Sequence, residues 1–215
     1  MNDMNYKGVI FDLDGVLCST DEYHYRAWKK LADRLGIYFD RAINNRLRGV
    51  SRMESLEIVL ERSDKHYTQE EKNRLADEKN ETYKSFLASM SPSDVTDDVR
   101  ETLTELKKRG VRIAIGSSSK NTKTILTRIG LLDEFDAISD GNNITKSKPD
   151  PEVFLKAAEY LSLPPHACLV VEDAESGIAA AKGGGFDAAG IGAAASSPRR
   201  DYAITHLSDL LQIVK

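Results

Sequence analysis

The stretch YKGVIFDLDGVLCSTDEYHYRAW, Tyr6–Trp28, decides how the rest of the chain is read. Its apolar run Val9-Ile10-Phe11 stops abruptly at Asp12, and Asp14 and Gly15 follow. A short unbroken run of β-branched and aromatic residues reads as a strand buried on both faces, the pattern of a parallel sheet. Two carboxylates at one strand tip repel each other unless something there uses the charge. A cation or an electrophile is therefore expected at that tip.

The chain repeats this character. After Lys7–Phe11 come Val111–Gly116, Phe135–Ser139 and Ala167–Glu172, with a weaker fifth run at Ala188–Gly192. Amphipathic stripes separate them: Val99, Leu103 and Leu106; Ile125, Ile129 and Leu132; Val153, Phe154, Ala157, Ala158 and Leu161; Ile178, Ala179 and Ala181. Strand alternating with helix predicts an α/β fold with a doubly wound parallel-sheet core. The interval between the first two strands is too long for one crossover and reads almost wholly helical from Ser19 to Ser91. The expected organisation is a catalytic core of residues 1–18 and 92–215 with an all-helical cap domain, residues 19–91, inserted after the first strand. Pro92 marks the return linker. Gly183–Gly185 reads as a helix end, without the strand–GxxxxGK[ST]–helix setting of a phosphate loop.

Bulk properties narrow the function. A 215-residue chain with 40% hydrophobic and 30% charged residues can build a substantial core. A net charge of −4 argues against nucleic acid or an anionic membrane as partner. No apolar run is long enough to span a bilayer. Cys18 and Cys168 both fall in segments read as buried or close to the site, so no structural disulfide is expected and a reducing cytoplasm fits.

In a doubly wound sheet, ligands bind beyond the carboxyl ends of the strands. Those ends carry Asp12 and Asp14, then Ser117 and Ser118, then Lys148 before Pro149, then Glu172 and Asp173. Clustered carboxylates call for a divalent cation, and all-oxygen ligands point to Mg²⁺. A carboxylate can attack phosphorus, given a metal, an ammonium and hydroxyl donors to offset the charge. A second carboxyl two residues along can act as general acid and base.

Set in this order, DLDGV, a strand ending in Ser117, KPDP and VVEDAESGI resemble the motifs of the haloacid dehalogenase superfamily, and the helical insert resembles its α-helical cap. FDLDGV, TDEYHYRAW, RGVSRMES, EKNETY, SSSKN, SKPDP and VEDAESGI together resemble the beta-phosphoglucomutase family within it, over nearly the whole chain to about Gly192. That resemblance implies Asp12 as phosphorylated nucleophile and Asp14 as general acid/base. It implies a Mg²⁺ site of Asp12, Asp14 through its carbonyl, Glu172 and Asp173. Ser117 and Lys148 would hold the transferring phosphate, and Ser118, Ser119, Lys120 and Asn121 the core side of the pocket. Arg52 would grip a second phosphate. Arg48, Gly49, Val50, Ser55, Lys79 and Asn80 would line the sugar side, with Thr20 and His24 at the hinge. The implied partner is a small sugar phosphate and the implied state a monomer. Three departures stand out: Arg48 where the family usually has lysine, Ser19 in place of an acid, and Thr96-Asp97-Asp98 in place of a Pro-Gly turn. None removes a catalytic group.

Blander readings stand beside these. A lone DxD also serves turns and caps. His24, near Tyr23 and Trp28, also reads as a packed helix histidine, Arg52 as a surface arginine, and Ser118 as a turn hydroxyl. Lys79, within EEKNRLADEKNE, also reads as solvated. Tyr23, Tyr25 and Trp28 read as cap packing, and nothing nearby activates Cys18. The functional alternatives are a Mg-dependent sugar-phosphate phosphatase of the same superfamily, a phospho-accepting receiver module, and a silent binding protein.

Overall fold

The computed structural model describes residues 6–47 and 50–215, so Arg48 and Gly49 lie outside the described residues. Its core is one parallel sheet of strands β1 (Gly8–Phe11), β2 (Arg112–Gly116), β3 (Ala137–Ser139), β4 (Cys168–Glu172), β5 (Asp187–Gly190) and β6 (Tyr202–Ala203). The strand order is β3-β2-β1-β4-β5-β6. The first strand of the chain is thus internal, with Gly8 opposite Arg112 on one side and Cys168 on the other.

Side chains alternate across the sheet, as a two-residue period requires. Val9, Phe11, Ile113, Ile115, Leu169 and Val171 face one apolar layer. Ile10, Ala114, Cys168 and Val170 face the other. Helices α5 (Asp97–Lys108) and α6 (Thr122–Arg128) cover the first face through Val99, Leu103, Leu106, Ile125 and Leu126. Helices α7 (Glu152–Tyr160) and α8 (Glu175–Gly183) cover the second through Val153, Phe154, Ala157, Ile178 and Ala180. The core is doubly wound, as the strand–helix alternation predicts.

Between β1 and β2 the chain forms α1 (Asp21–Leu35), α2 (Arg41–Asn45), α3 (Arg52–Leu60) and α4 (Gln69–Leu87). These helices share an apolar cluster of their own, built on Trp28, Leu31, Phe39, Ile43, Leu56, Val59 and Leu75. Each large side chain buried there contributes roughly 1.5–3 kcal/mol. Local signals set the boundaries. Gly36, at φ 70°, ends α1 in the left-handed conformation that glycine adopts without strain. Capping boxes Ser51/Glu54 and Thr68/Glu71 start α3 and α4.

The structure corrects some details. Helix α6 stops at Arg128 because Gly130 turns the chain at φ 69°, and Leu131 rather than Leu132 is buried. In α8 the buried stripe runs through Ala180, while Ala179 is partly exposed. The tail beyond Gly192, without a readable pattern, supplies β6 and a short helix, α9 (Leu210–Ile213). Helix α5 grips that tail at both ends. The Asp98 carboxylate accepts from the Leu207 and Ser208 amides, at 2.8 and 3.3 Å. The Arg109 guanidinium donates to the Leu211 and Val214 carbonyls, at 2.7 and 2.9 Å. Cys18 and Cys168 are both free and buried.

Candidate active site

The carboxyl edge of the sheet forms the floor of a cleft of about 930 Å³, and the helical insert forms its opposite wall. Asp12 leaves β1 with its amide on the Val171 carbonyl, which fixes it beside β4. Gly15 makes the turn beyond it at φ 86°. A Cβ on Gly15 would stand 2.2 Å from Asp173 Oδ2, so the turn can lie against that carboxylate only without a side chain. Gly177 makes room for Glu172 in the same way.

Lys148 is the hub of the floor. Its Nζ donates to Asp12 Oδ1 and to Glu172 Oε1, both at 2.5 Å, and it is 3% exposed. Glu172 Oε2 accepts from the Ala174 amide. Burial pushes the Asp12 carboxyl well above the usual carboxylate range. The Lys148 ammonium opposes that, while Glu172 and Asp173 reinforce it. Burial works against the Lys148 charge, but the two carboxylates it touches outweigh this and hold its proton firmly. Ser117 is buried and its hydroxyl accepts from the Ser119 amide at 3.2 Å. The Ser118 hydroxyl is buried without a hydrogen-bond partner among the described residues, an orphan that suits a ligand oxygen.

Asp14 is held by Thr20. Thr20 donates to both of its carboxylate oxygens, from the amide and from Oγ1, each at 2.6 Å. Thr20 itself is 1% exposed, so it acts on Asp14 rather than forming the cleft wall.

Among the described residues no three His, Cys, Asp or Glu side chains stand close enough to enclose a metal. Mg²⁺ does not require that; it is typically held by one or two carboxylates, substrate phosphate oxygens and water. Asp12 and Asp173 can supply those carboxylates. Asp12, Glu172 and Asp173 interact electrostatically against a single ammonium, leaving negative charge for a cation to balance. The donor set fits Mg²⁺.

The opposite wall carries Val50, Arg52, Ser55, Lys79 and Asn80. Lys79 is not solvated. It is 3% exposed, its Nζ lies 2.8 Å from His24 Nδ1, and it sits 4.7 Å from the ring centres of both Trp28 and Tyr83. Burial, then the nearby Arg52 charge, pulls its pKa down to about 7. His24 stacks on Tyr83 at 4.1 Å, and burial followed by Lys79 and Arg52 keeps its pKa well below the ordinary imidazole value. Its packed and its cleft-facing readings both hold. Arg52 faces the cleft, and among the described residues its ion pair is a loose one to Asp77, at 3.9 Å. Asn121 Nδ2 on the floor donates to Asn80 Oδ1 on the wall at 2.9 Å. Ser119 and Lys120 line the core side. Asn44 and Tyr83 also line the cleft and were not among the expected residues. For Asn44 the available signal was a buried-face asparagine beside Ile43 in a very short helix.

Residues 6–185 match the family described as haloacid dehalogenase-like hydrolase. The chain belongs to that family. As a haloacid dehalogenase-like enzyme it is 42% identical over 206 residues to a beta-phosphoglucomutase of Bacillus subtilis, covering 95% of this chain and 91% of that one. The crystal structure of a beta-phosphoglucomutase from Clostridium difficile matches with a TM-score of 0.89 at 37% identity, over 95% of this chain and 93% of the other. A phosphorylated carbohydrates phosphatase of Thermotoga maritima is 31% identical over 184 residues, 84% of this chain and 82% of its own. This haloacid dehalogenase-like chain is thus a homologue of beta-phosphoglucomutases that also has phosphatase relatives.

Proposed function

We propose that the protein is a beta-phosphoglucomutase, with residues 19–91 as a mobile cap over a core of residues 1–18 and 92–215. Asp12 carries the transferring phosphoryl group and passes it to the 6-hydroxyl of beta-glucose 1-phosphate. The bisphosphate reorients, its 1-phosphate returns to Asp12, and glucose 6-phosphate leaves. Asp14, steadied by Thr20, gives and takes the hydroxyl proton. Ser117 and Lys148 hold the transferring phosphate. Asp12, Glu172, Asp173 and the Asp14 carbonyl would hold a Mg²⁺ whose charge would offset that of the phosphate. Water must be kept out, because the aspartyl phosphate has to outlast the reorientation.

The observation that carries this reading is that the cleft has a cation on each wall: Lys148 on the floor and Arg52 opposite, loosely paired. A substrate with two phosphates suits such a cleft, and a guanidinium suits a phosphate as a two-pronged donor. A sugar phosphate as small-molecule partner, a monomeric state and a reducing cytoplasm complete the reading; the two free, buried cysteines suit the last.

The test follows beta-glucose 1-phosphate with Mg²⁺ and a trace of priming bisphosphate, reading glucose 6-phosphate and free phosphate together. Glucose 6-phosphate with little free phosphate is expected. Dominant free phosphate replaces this reading with a sugar-phosphate phosphatase, the alternative that the Thermotoga relative favours. Asp14→Asn should keep phosphoryl acceptance from small donors and lose turnover by about two to four orders of magnitude. Retained turnover would remove the role given to Asp14.

A further inference from the structure

Lys148 reaches its two carboxylates from an irregular segment between β3 and α7, and an irregular segment needs something to hold its shape. Lys148 is 3% exposed, whereas Thr145 and Lys146 just before it are exposed. The segment has no strand or helix ladder to fix it. At Thr145 and Lys146 it is gathered by one carboxylate oxygen. Glu152 Oε2 accepts from the Thr145 amide at 2.9 Å, the Thr145 hydroxyl at 2.9 Å and the Lys146 amide at 2.8 Å. These bonds hold the Glu152 carboxyl down at about 2, the amides of Lys146 and Thr145 contributing most.

The surrounding contacts close a ring around Lys148. The Asp150 carboxylate accepts from the Glu152 amide, and the Asp150 amide donates to the Ser147 carbonyl. Lys156, one turn along α7 and 3.1 Å from Glu152, donates to the Asn143 carbonyl. Phe154, between them on the helix, lies 4.7 Å under the Lys148 ammonium. The first turns of α7 therefore gather the segment by its backbone and support the lysine from below.

We propose that Glu152 is a positioning residue: by gathering Thr145 and Lys146 it sets the Lys148 ammonium at the Asp12 carboxylate. The proposal rests on the role given to Lys148 above. Glu152 touches no reacting atom and acts through Lys148. A misplacement of about 1 Å can cost about a hundredfold in rate, so a backbone shift at Thr145–Lys146 is enough to matter.

The test is a double-mutant cycle on the rate at which acetyl phosphate, with Mg²⁺ present, phosphorylates Asp12 and releases acetate, read by intact mass. Glu152→Ala is expected to slow this step about 30–100-fold. Glu152→Gln, which keeps an acceptor oxygen, should stay within about tenfold of the parent. In a Lys148→Ala background the same Glu152→Ala change should cost less than about threefold, because the group it positions is gone. A purely structural role predicts equal losses in both backgrounds, and that result, or an unchanged rate in Glu152→Ala, overturns the proposal. If Lys148→Ala alone leaves the rate intact, the role of Lys148 falls and this proposal with it. If Lys148→Ala is slow and Glu152→Ala is not, only this proposal falls. Thermal unfolding of each variant checks the fold; where Glu152→Ala does not fold, Glu152→Gln and Thr145→Val complete the cycle.

Discussion

Replacing Lys79 by methionine should make the protein more stable and less able to hold its substrate. Lys79 is a cation buried with another cation, Arg52, nearby and a neutral histidine as its hydrogen-bond partner. A fall of its pKa from the ordinary 10.5 to about 7 corresponds to roughly 5 kcal/mol of preference for the neutral form. The faces of Trp28 and Tyr83, both 4.7 Å from Nζ, return about 1–2 kcal/mol to the cation. The net cost of keeping Lys79 charged is therefore roughly 3 kcal/mol. Below about pH 7 both folded and unfolded chains carry the proton, and the folded state bears the whole cost. Between about pH 7 and 10.5 the unfolded chain holds a proton that the folded chain has released, so raising the pH favours folding. Lys79→Met should thus stabilise by roughly 3 kcal/mol near pH 6, and its advantage should shrink by roughly 1–3 kcal/mol by about pH 9. Urea unfolding of both proteins, followed by circular dichroism at the two pH values, measures this. A variant no more stable near pH 6, or an advantage that is flat with pH, refutes the reasoning.

Other outcomes follow from single contacts. Gly15→Ala puts a methyl where Asp173 Oδ2 now lies and demands a left-handed alanine; Mg²⁺ affinity, read by titration of activity, should fall about 10–100-fold, and an unchanged affinity would take Asp173 out of the metal site. Arg109→Ala frees two carbonyls of the tail; it should lower unfolding stability by about 1–2 kcal/mol and leave KM unchanged, so a raised KM would tie the tail to the cleft.

What was legible in the sequence follows a physical rule. The strands of the sheet centre announce themselves because residues buried on both faces leave no room for polar alternation. The residues at their carboxyl ends are then placed by topology alone, which is why the sequence by itself brings Asp12, Asp14, Ser117, Lys148, Glu172 and Asp173 to one edge. Lys79 was harder. Ten polar residues crowd EEKNRLADEKNE, yet Ala76, Lys79, Asn80 and Tyr83 share one helical face, and that face is the buried one. Strand β6 was missed because two residues carry no period. The clasp of α5 on the tail, and the three bonds of Glu152, leave no local trace. An acid near a helix start is what any helix prefers, and its distant partners are fixed only by folding.

The position of β1 also orders events during synthesis. β1 leaves the ribosome before the other described strands, but it has no neighbour until the chain reaches Arg112, and its second side stays open until Cys168. The four insert helices are complete well before either partner, and they carry an apolar cluster that needs none of the sheet. Local contacts form quickly and distant strand pairs slowly. The insert is therefore the natural first unit to fold on the nascent chain, and β1 waits beside it as an unpaired edge. The strand that leads into Asp12 has both of its neighbours only once the chain has been made as far as Cys168.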